Sequence, residues 1–384
     1  MELSKEKTER FAAFNRLCTE HGLSERPRGL DTGDVQDGIN DEVTLLRFFK
    51  ASRLNPHRAL QQLEKTTRFR EEQHVLHLYM TIHVDDFEDT RKFYPHWTGR
   101  RDKRGLPILM LDMAHYDQAA IAQWRKTRDM SCCTDPTVIT THGPNMAQRA
   151  TVFHDSLTRF VLPLCSAMDG RPNPSTPVSN AVYIVDASMV SVKQAWNLKH
   201  FAQEVSWILM TCYPETIERI FLCNVPSYFS TIWSILKKWV DPVTAAKVVV
   251  LKQSEVYTTL EKYIDKENIP IKFGGGFAFQ NGMLPDLDHG IRQCLQWTTP
   301  SECIPPGPVK WMQADGGKRI AIATGSVDKN AAIVSKAKRT FTGDELAHII
   351  AEALPLSPLL VKVPMDKFNP NENKLVELRW IGGR

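Results

Sequence analysis

The chain has no cysteine framework, no long apolar run and no large excess of either charge. Its eight cysteines among 384 residues are scattered. Only Cys132 and Cys133 are adjacent, none forms a CxxC pair, and no histidine stands at metal-ligand spacing from them. A zinc site or a disulfide-stapled fold is therefore not expected, and the cysteines read as reduced thiols. His74, His77 and His83 lie close together in sequence without the partners a ligand set needs, and read as surface residues. No run of about 18 apolar residues exists, which argues against a transmembrane helix. The opening MELSKEKTERF has no apolar h-region, which argues against a signal peptide and for a cytoplasmic protein. A net charge of +4 is too small to point to nucleic acid. Neither GxxxxGK[ST] nor GxGxxG occurs, and Gly274-Gly275-Gly276 follow a helical stretch instead of opening one. There is no GxSxG elbow and no nucleophile–base spacing. Neither an enzyme nor a cofactor is expected.

What is present is the composition of a globular protein, 42% hydrophobic and 24% charged. Residues 3–21 predict a helix, and a turn-rich connection follows to Asn40. Asp41 caps a helix with Val43, Leu46, Phe49 and Leu54 on its apolar stripe. Asn55-Pro56 starts another carrying Leu60, Leu63 and Phe69. From Phe93 the pattern becomes α/β. RRDKRG (100–105) is the turn of a hairpin, a long helix over 145–167 is interrupted near Pro163, and 169–179 is a proline-rich loop. Strands at 181–187 and 219–225 alternate with helices at 193–212 and 228–240, so the strands pair in parallel. We divide the chain into a helical module (1–85), an α/β domain (86–290) and a linker with a C-terminal extension (291–384). The extension is either a small β-rich appendage or partly disordered chain. Its basic stretch from Lys310 to Arg339 reads as a solvated face, or as one attracted to anionic lipid.

The stretch 241–276, DPVTAAKVVVLKQSEVYTTLEKYIDKENIPIKFGGG, is the most informative. Asp241 and Pro242 suit a helix start. Thr244 and Lys247, three apart, project from one face of that opening turn, where a hydroxyl and an ammonium suit a phosphate. Val248 to Leu251 predicts a buried parallel strand. An amphipathic helix and a glycine turn complete the unit.

This stretch resembles the CRAL-TRIO family of lipid-binding and lipid-transfer proteins, as do LLRFFKASRLNPHRALQQL (45–63), AVYIVDAS (181–188) and YPE (213–215) followed by RIFLCNVPSYFSTIW (219–233). The resemblance implies an α/β CRAL-TRIO fold: a helical N-terminal module and a mostly parallel sheet whose flanking helices form a lipid cavity. It implies a lipid-transfer protein that encloses one phospholipid, with phosphatidylinositol the expected lipid, and a transient peripheral association with membranes. The protein would be a monomer with no nucleic-acid partner. Thr244, Lys247, Glu215 and Arg53 fall on positions that hold the inositol-phosphate headgroup. Ser52 replaces a headgroup arginine of the family's motif, a loss worth roughly 1.5–3 kcal/mol. Leu109, Phe160, Ala181, Tyr183 and Thr216 fall on the phosphatidylcholine positions and are short of donors for a buried phosphate. Helix 228–240, with Phe229, Ile232, Trp233, Leu236 and Trp239, falls on the gate over the cavity, and the three glycines give flexibility beside it. The residues leave two other readings open: a binder of another hydrophobic ligand such as a sterol or haem, with Tyr183 able to ligate iron, and a protein-interaction scaffold with a vestigial lipid site.

Overall fold

The computed structural model describes residues 5–116, 119–122, 124, 144–168, 170–191, 193, 199–238, 240, 242–297, 303–313, 319–326 and 339–341. Helices α1 (Lys5–Glu20), α2 (Glu42–Ala51) and α3 (Pro56–Glu72) open the chain. Asp41 caps α2 by accepting from the Thr44 amide, and Asn55 caps α3 by accepting from that of Arg58. Their apolar stripes meet in a separate small core in which Phe14 stacks on Phe49 with centroids 6.0 Å apart.

Two short helices, α4 (Val75–Thr81) and α5 (Val84–Thr90), lead into the expected hairpin of β1 (His96–Arg101) and β2 (Pro107–Asp112). The long helix follows as α6 (Met146–Ser156), a π-helical segment at Leu157–Val161, and α7 (Leu162–Ser166). Pro163 explains the interruption, since it offers no N–H and its ring displaces the carbonyl one turn back. Next come β3 (Ala181–Asp186), α8 (Lys199–Cys212), β4 (Ile217–Cys223), α9 (Phe229–Leu236), α10 (Pro242–Ala246), β5 (Val248–Val250) and α11 (Gln253–Leu260). The sheet runs in the order β1-β2-β3-β4-β5, antiparallel only at the hairpin.

Alternation along the strands separates two faces. Ile108, Met110, Val182, Ile184 and Phe221 face α11 and the segment through Phe273 and Phe279. Leu109, Leu111, Tyr183, Val185 and Leu222 face the other way, toward α6 to α9.

Several expectations need correction. β5 was expected to be buried; it is the sheet's edge, and Val250 is exposed. Helix 228–240 is shorter than expected, because α9 ends at Leu236 and Lys237-Lys238 form a turn. The glycines of 274–276 lie with the core of the opposite face. A Cβ on Gly275 would stand 1.9 Å from the Ile269 carbonyl oxygen, so close packing dictates that glycine. The chain beyond 290 does not stand apart in its described part. After α12 (His289–Cys294), strands β6 (Leu295–Gln296), β7 (Val309–Gln313), β8 (Arg319–Ala323) and β9 (Arg339–Phe341) form a second sheet in the order β6-β9-β8-β7. Val309, Trp311, Ala321 and Ala323 join the same core as Leu109 and Phe160. Lys310, expected on a solvated face, is fully buried and paired with Asp31 and Asp34. The later candidate strands LLVKV and LVELRW lie outside the described residues, as do Cys132 and Cys133.

Candidate functional site

Between β2–β5 and the helices α8, α9 and α10 lies a cavity of about 410 Å³. Its walls are sheet residues Leu111, Val185, Ile220 and Leu222 and the α8 residues Phe201, Val205 and Leu209. Helix α8 is amphipathic, and Phe201 and Leu209, eight residues apart, share the inward face. The deep end is aromatic. Phe201 lies 5.6 Å from Tyr94 and 5.5 Å from Tyr116 by ring centroid, and all three are buried. The Tyr116 hydroxyl donates to the Phe93 carbonyl, and burial pushes that phenol's pKa up.

The other end is polar and open, where Met210 and Val243 line the cavity while exposed to solvent. Here Lys247 donates to Glu215 at 3.1 Å and to the Ile217 carbonyl at 2.7 Å. Glu215 and Lys247 are 31% and 24% exposed, so water reaches both and a ligand can too. Two local features place them. Glu215 follows Pro214 in the turn from α8 to β4 with φ 56°, a left-handed conformation uncommon for glutamate. Lys247 sits where the chain turns from α10 into β5, its carbonyl accepting from the Ile220 amide. The expected helix-terminal phosphate site is thus not the geometry found. Helix α10 has five residues, and Lys247 lies past its C-terminal end. Thr244 lines the same mouth, and Asp241 lies outside the described residues.

The remaining expected residues divide. Thr216 and Tyr183 line the cavity; Thr216 donates to the Tyr213 carbonyl, whereas the buried Tyr183 hydroxyl has no partner. Burial raises the Tyr183 pKa, which keeps it a neutral phenol. Leu109, Phe160 and Ala181 do not line this cavity. Leu109 and Ala181 share its face of the sheet, but that part is covered by β7 and by the π-helical segment, which carries Phe160, and core side chains fill it. Arg53 is exposed in a left-handed loop (φ 54°) and does not line the cavity. On α9, Phe229 and Ile232 are buried in the core, Phe229 stacks on Trp233 at 6.3 Å, and Trp233 lines the cavity. The Leu236 side chain and Trp239 lie outside the described residues.

Two contributors escaped sequence reasoning. Lys50 is exposed yet close enough to Glu215 for their charges to interact; desolvation nevertheless sets its ammonium below the usual lysine range. Gln62 lines the cavity and donates to the Met210 carbonyl at 2.8 Å, joining α3 to the end of α8. Lys50 belongs to the same KASRL stretch as Ser52, so the loss of one cation there was a signal to examine its neighbours. Gln62 carried no signal, being an exposed-looking position on an amphipathic helix.

Comparison with known proteins places this geometry in context. Residues 90–275 match the family model of the CRAL/TRIO domain. The chain is 28% identical over 235 residues to the SEC14 cytosolic factor of Candida glabrata, covering 61% of this chain and 70% of that protein. It is 26% identical over 277 residues to the SEC14 cytosolic factor of Kluyveromyces lactis, covering 68% and 85%. It is 23% identical over 241 residues to the phosphatidylinositol/phosphatidylcholine transfer protein SFH9 of Arabidopsis thaliana, covering 62% and 37%.

Proposed function

We propose, from the CRAL/TRIO domain that residues 90–275 form, that this protein carries one lipid molecule between membranes without chemically changing it. The family consists of lipid-binding and lipid-transfer proteins. The observation that carries the reading is the polarity of the cavity: apolar through its length, and charged only at the exposed mouth where Glu215, Thr244 and Lys247 meet. An amphiphile fits that gradient with its chain toward Phe201 and its head at the mouth. Phosphatidylinositol suits the mouth best. Its phosphate takes the Lys247 ammonium, and its ring hydroxyls donate to the Glu215 carboxylate, which a phosphate alone would repel.

Exchange needs an opening, and α9 is the element to move. It lays Trp233 against the cavity and is followed by a turn of two exposed lysines, Lys237 and Lys238, suited to anionic headgroups. Mass spectrometry of the organic extract from purified protein, paired with phosphatidylinositol transfer between vesicles, tests the proposal. Bound phosphatidylinositol and measurable transfer are expected, and a protein that yields no lipid and transfers none refutes it.

One observation favours a second reading. About 410 Å³ is near the lower end of pockets that bury drug-sized ligands. In this conformation a sterol or single-chain lipid fits more readily than a diacyl phospholipid, for which α9 must swing further out. The same extract decides between them.

A further inference from the structure

Tyr183 lines the cavity, and its buried hydroxyl has no hydrogen-bond partner among the described residues. Other hydroxyls of the same lining are engaged. Thr216 donates to the Tyr213 carbonyl, Tyr116 to the Phe93 carbonyl, and the Tyr213 hydroxyl bonds to the Thr151 carbonyl and to Asp155. Most buried polar side-chain atoms find a partner, and a buried hydroxyl without one costs free energy. The side chains beside Tyr183 offer no relief, because its cross-strand neighbours are Leu109 and Ile220. Burial keeps the phenol neutral, so it stands as a donor.

The sheet fixes where along the cavity this donor lies. One step toward the mouth, Ala181 pairs with Ile217, whose carbonyl accepts from Lys247. One step the other way, Val185 pairs with Leu111 and Leu222, in the cluster that holds Tyr94, Tyr116 and Phe201. Steps of two residues along a strand span about 7 Å. Tyr183 therefore marks the passage from the charged mouth to the apolar interior.

We infer that the Tyr183 hydroxyl donates to an acyl ester carbonyl of the bound lipid. A phospholipid placed with its phosphate at Lys247 and its chains toward Phe201 carries one kind of acceptor at that passage, the ester oxygens of its glycerol. The chains beyond have no acceptor, and the phosphate is served at the mouth. A carbonyl oxygen accepts from a phenol, whereas an ether-linked chain offers only a weaker, more hindered oxygen in its place. Tyr183 is thus a specificity-determining position that selects the linkage between glycerol and chain. This inference rests on the lipid-carrying reading above and adds to it the chemical class of lipid accepted.

The test is displacement of a fluorescent lipid from the full-length protein by two probes of equal chain length, diacyl phosphatidylinositol and its dialkyl ether analogue. Wild-type protein should bind the diacyl probe about two- to tenfold more tightly, the range of one net hydrogen bond. Tyr183→Phe keeps the ring and removes the hydroxyl, so the ratio of the two affinities should fall to near one. Comparing the two ratios cancels whatever else separates the probes. A merely structural role for the hydroxyl would weaken both probes alike and leave the ratio unchanged. Thermal melts check that the variant is folded.

Equal affinity of wild-type protein for the two probes overturns the inference without any variant. So does a diacyl preference that persists in folded Tyr183→Phe; either result leaves lipid carriage intact. Cholesterol that displaces the fluorescent lipid from wild-type protein but not from Tyr183→Phe would assign the hydroxyl to a sterol oxygen and overturn the ester assignment. A wild-type protein that binds neither probe overturns both the inference and the phosphatidylinositol reading beneath it.

Discussion

Lys247→Ala combined with Thr244→Asp should abolish phosphatidylinositol transfer while sparing the fold. Lys247 is bonded to Glu215 at 3.1 Å and is about a quarter exposed, so its attraction for a phosphate falls between the wet and the interior limits. Two unit charges 4 Å apart are worth about 1 kcal/mol in water and about 4 kcal/mol at the effective dielectric near a protein surface. A charged hydrogen bond lost on truncation falls in the same range. A carboxylate at position 244 adds a repulsion of similar size. The sum, roughly 2–8 kcal/mol, weakens headgroup binding by at least about thirtyfold. The fold should not follow. Glu215 is nearly a third exposed, and losing a partly solvated ion pair costs about 1 kcal/mol or less. Transfer of labelled phosphatidylinositol between vesicles reads the first effect and a thermal melt reads the second. A folded double variant that transfers at the wild-type rate refutes the headgroup assignment.

Four further outcomes are expected. Phosphatidylcholine should transfer poorly, because Leu109, Phe160 and Ala181 lie in dry core and Thr216 is already engaged, which leaves a phosphocholine short of donors; equal transfer of both lipids would falsify this. Tethering α9 to the body of the domain by an engineered disulfide should slow loading and release while bound lipid stays in place, and exchange at the reduced protein's rate would remove α9 as the gate. Burial sets His96 at about 3 and His154 at about 4. The unfolded chain therefore binds two protons below about pH 6.5 that the folded state refuses, and each histidine removes about 1.4 kcal/mol of stability per pH unit as pH falls toward 4. Denaturant titrations should show that slope flatten by one proton in His154→Gln. Asp37 behaves in the opposite sense: burial first, with Asp41 adding, raises its carboxyl to about 7, so stability is full below about pH 4 and is lost as pH rises through 7. Asp37→Asn should stabilise by roughly 1–4 kcal/mol at pH 8 and by nothing at pH 4.

What the sequence made legible was periodic or capped. Asp41 and Asn55 announced α2 and α3, and the β-branched runs announced β3 and β4 in their parallel order. Glu215, Thr244 and Lys247 come together at one mouth although about thirty residues separate the first from the others. What stayed hidden depends on which surface covers which. A short run of valines reads the same at a sheet's edge as at its centre, so β5 looked buried. Trp311 and Lys310 looked like part of an appendage, because nothing local reveals that Phe160 and Asp34 wait for them across the fold. Leu109, Phe160 and Ala181 fell on the cavity's face and out of the cavity for the same reason, since periodicity gives the face of a strand but not the length along it that stays open.

That division has a thermodynamic consequence for a carrier. An acyl chain leaves one apolar medium for another when it passes from bilayer to cavity, so hydrophobic transfer adds little net free energy. On the lipid-carrying reading proposed above, retention then rests on two smaller quantities: headgroup contacts at Glu215 and Lys247, and how well the chain fills the space ending at Phe201, Tyr94 and Tyr116. The first would select the head and the second the tail, and they lie at opposite ends of one cavity. Effects of distant sites without common partners add. Combining Lys247→Ala with Phe201→Leu should therefore lower affinity for phosphatidylinositol by the first variant's factor while shifting chain preference by the second's. Strong non-additivity between them, measured by competition for a fluorescent lipid, would mean that α9 couples the two ends, and the mouth and the deep end could no longer be treated as separate determinants.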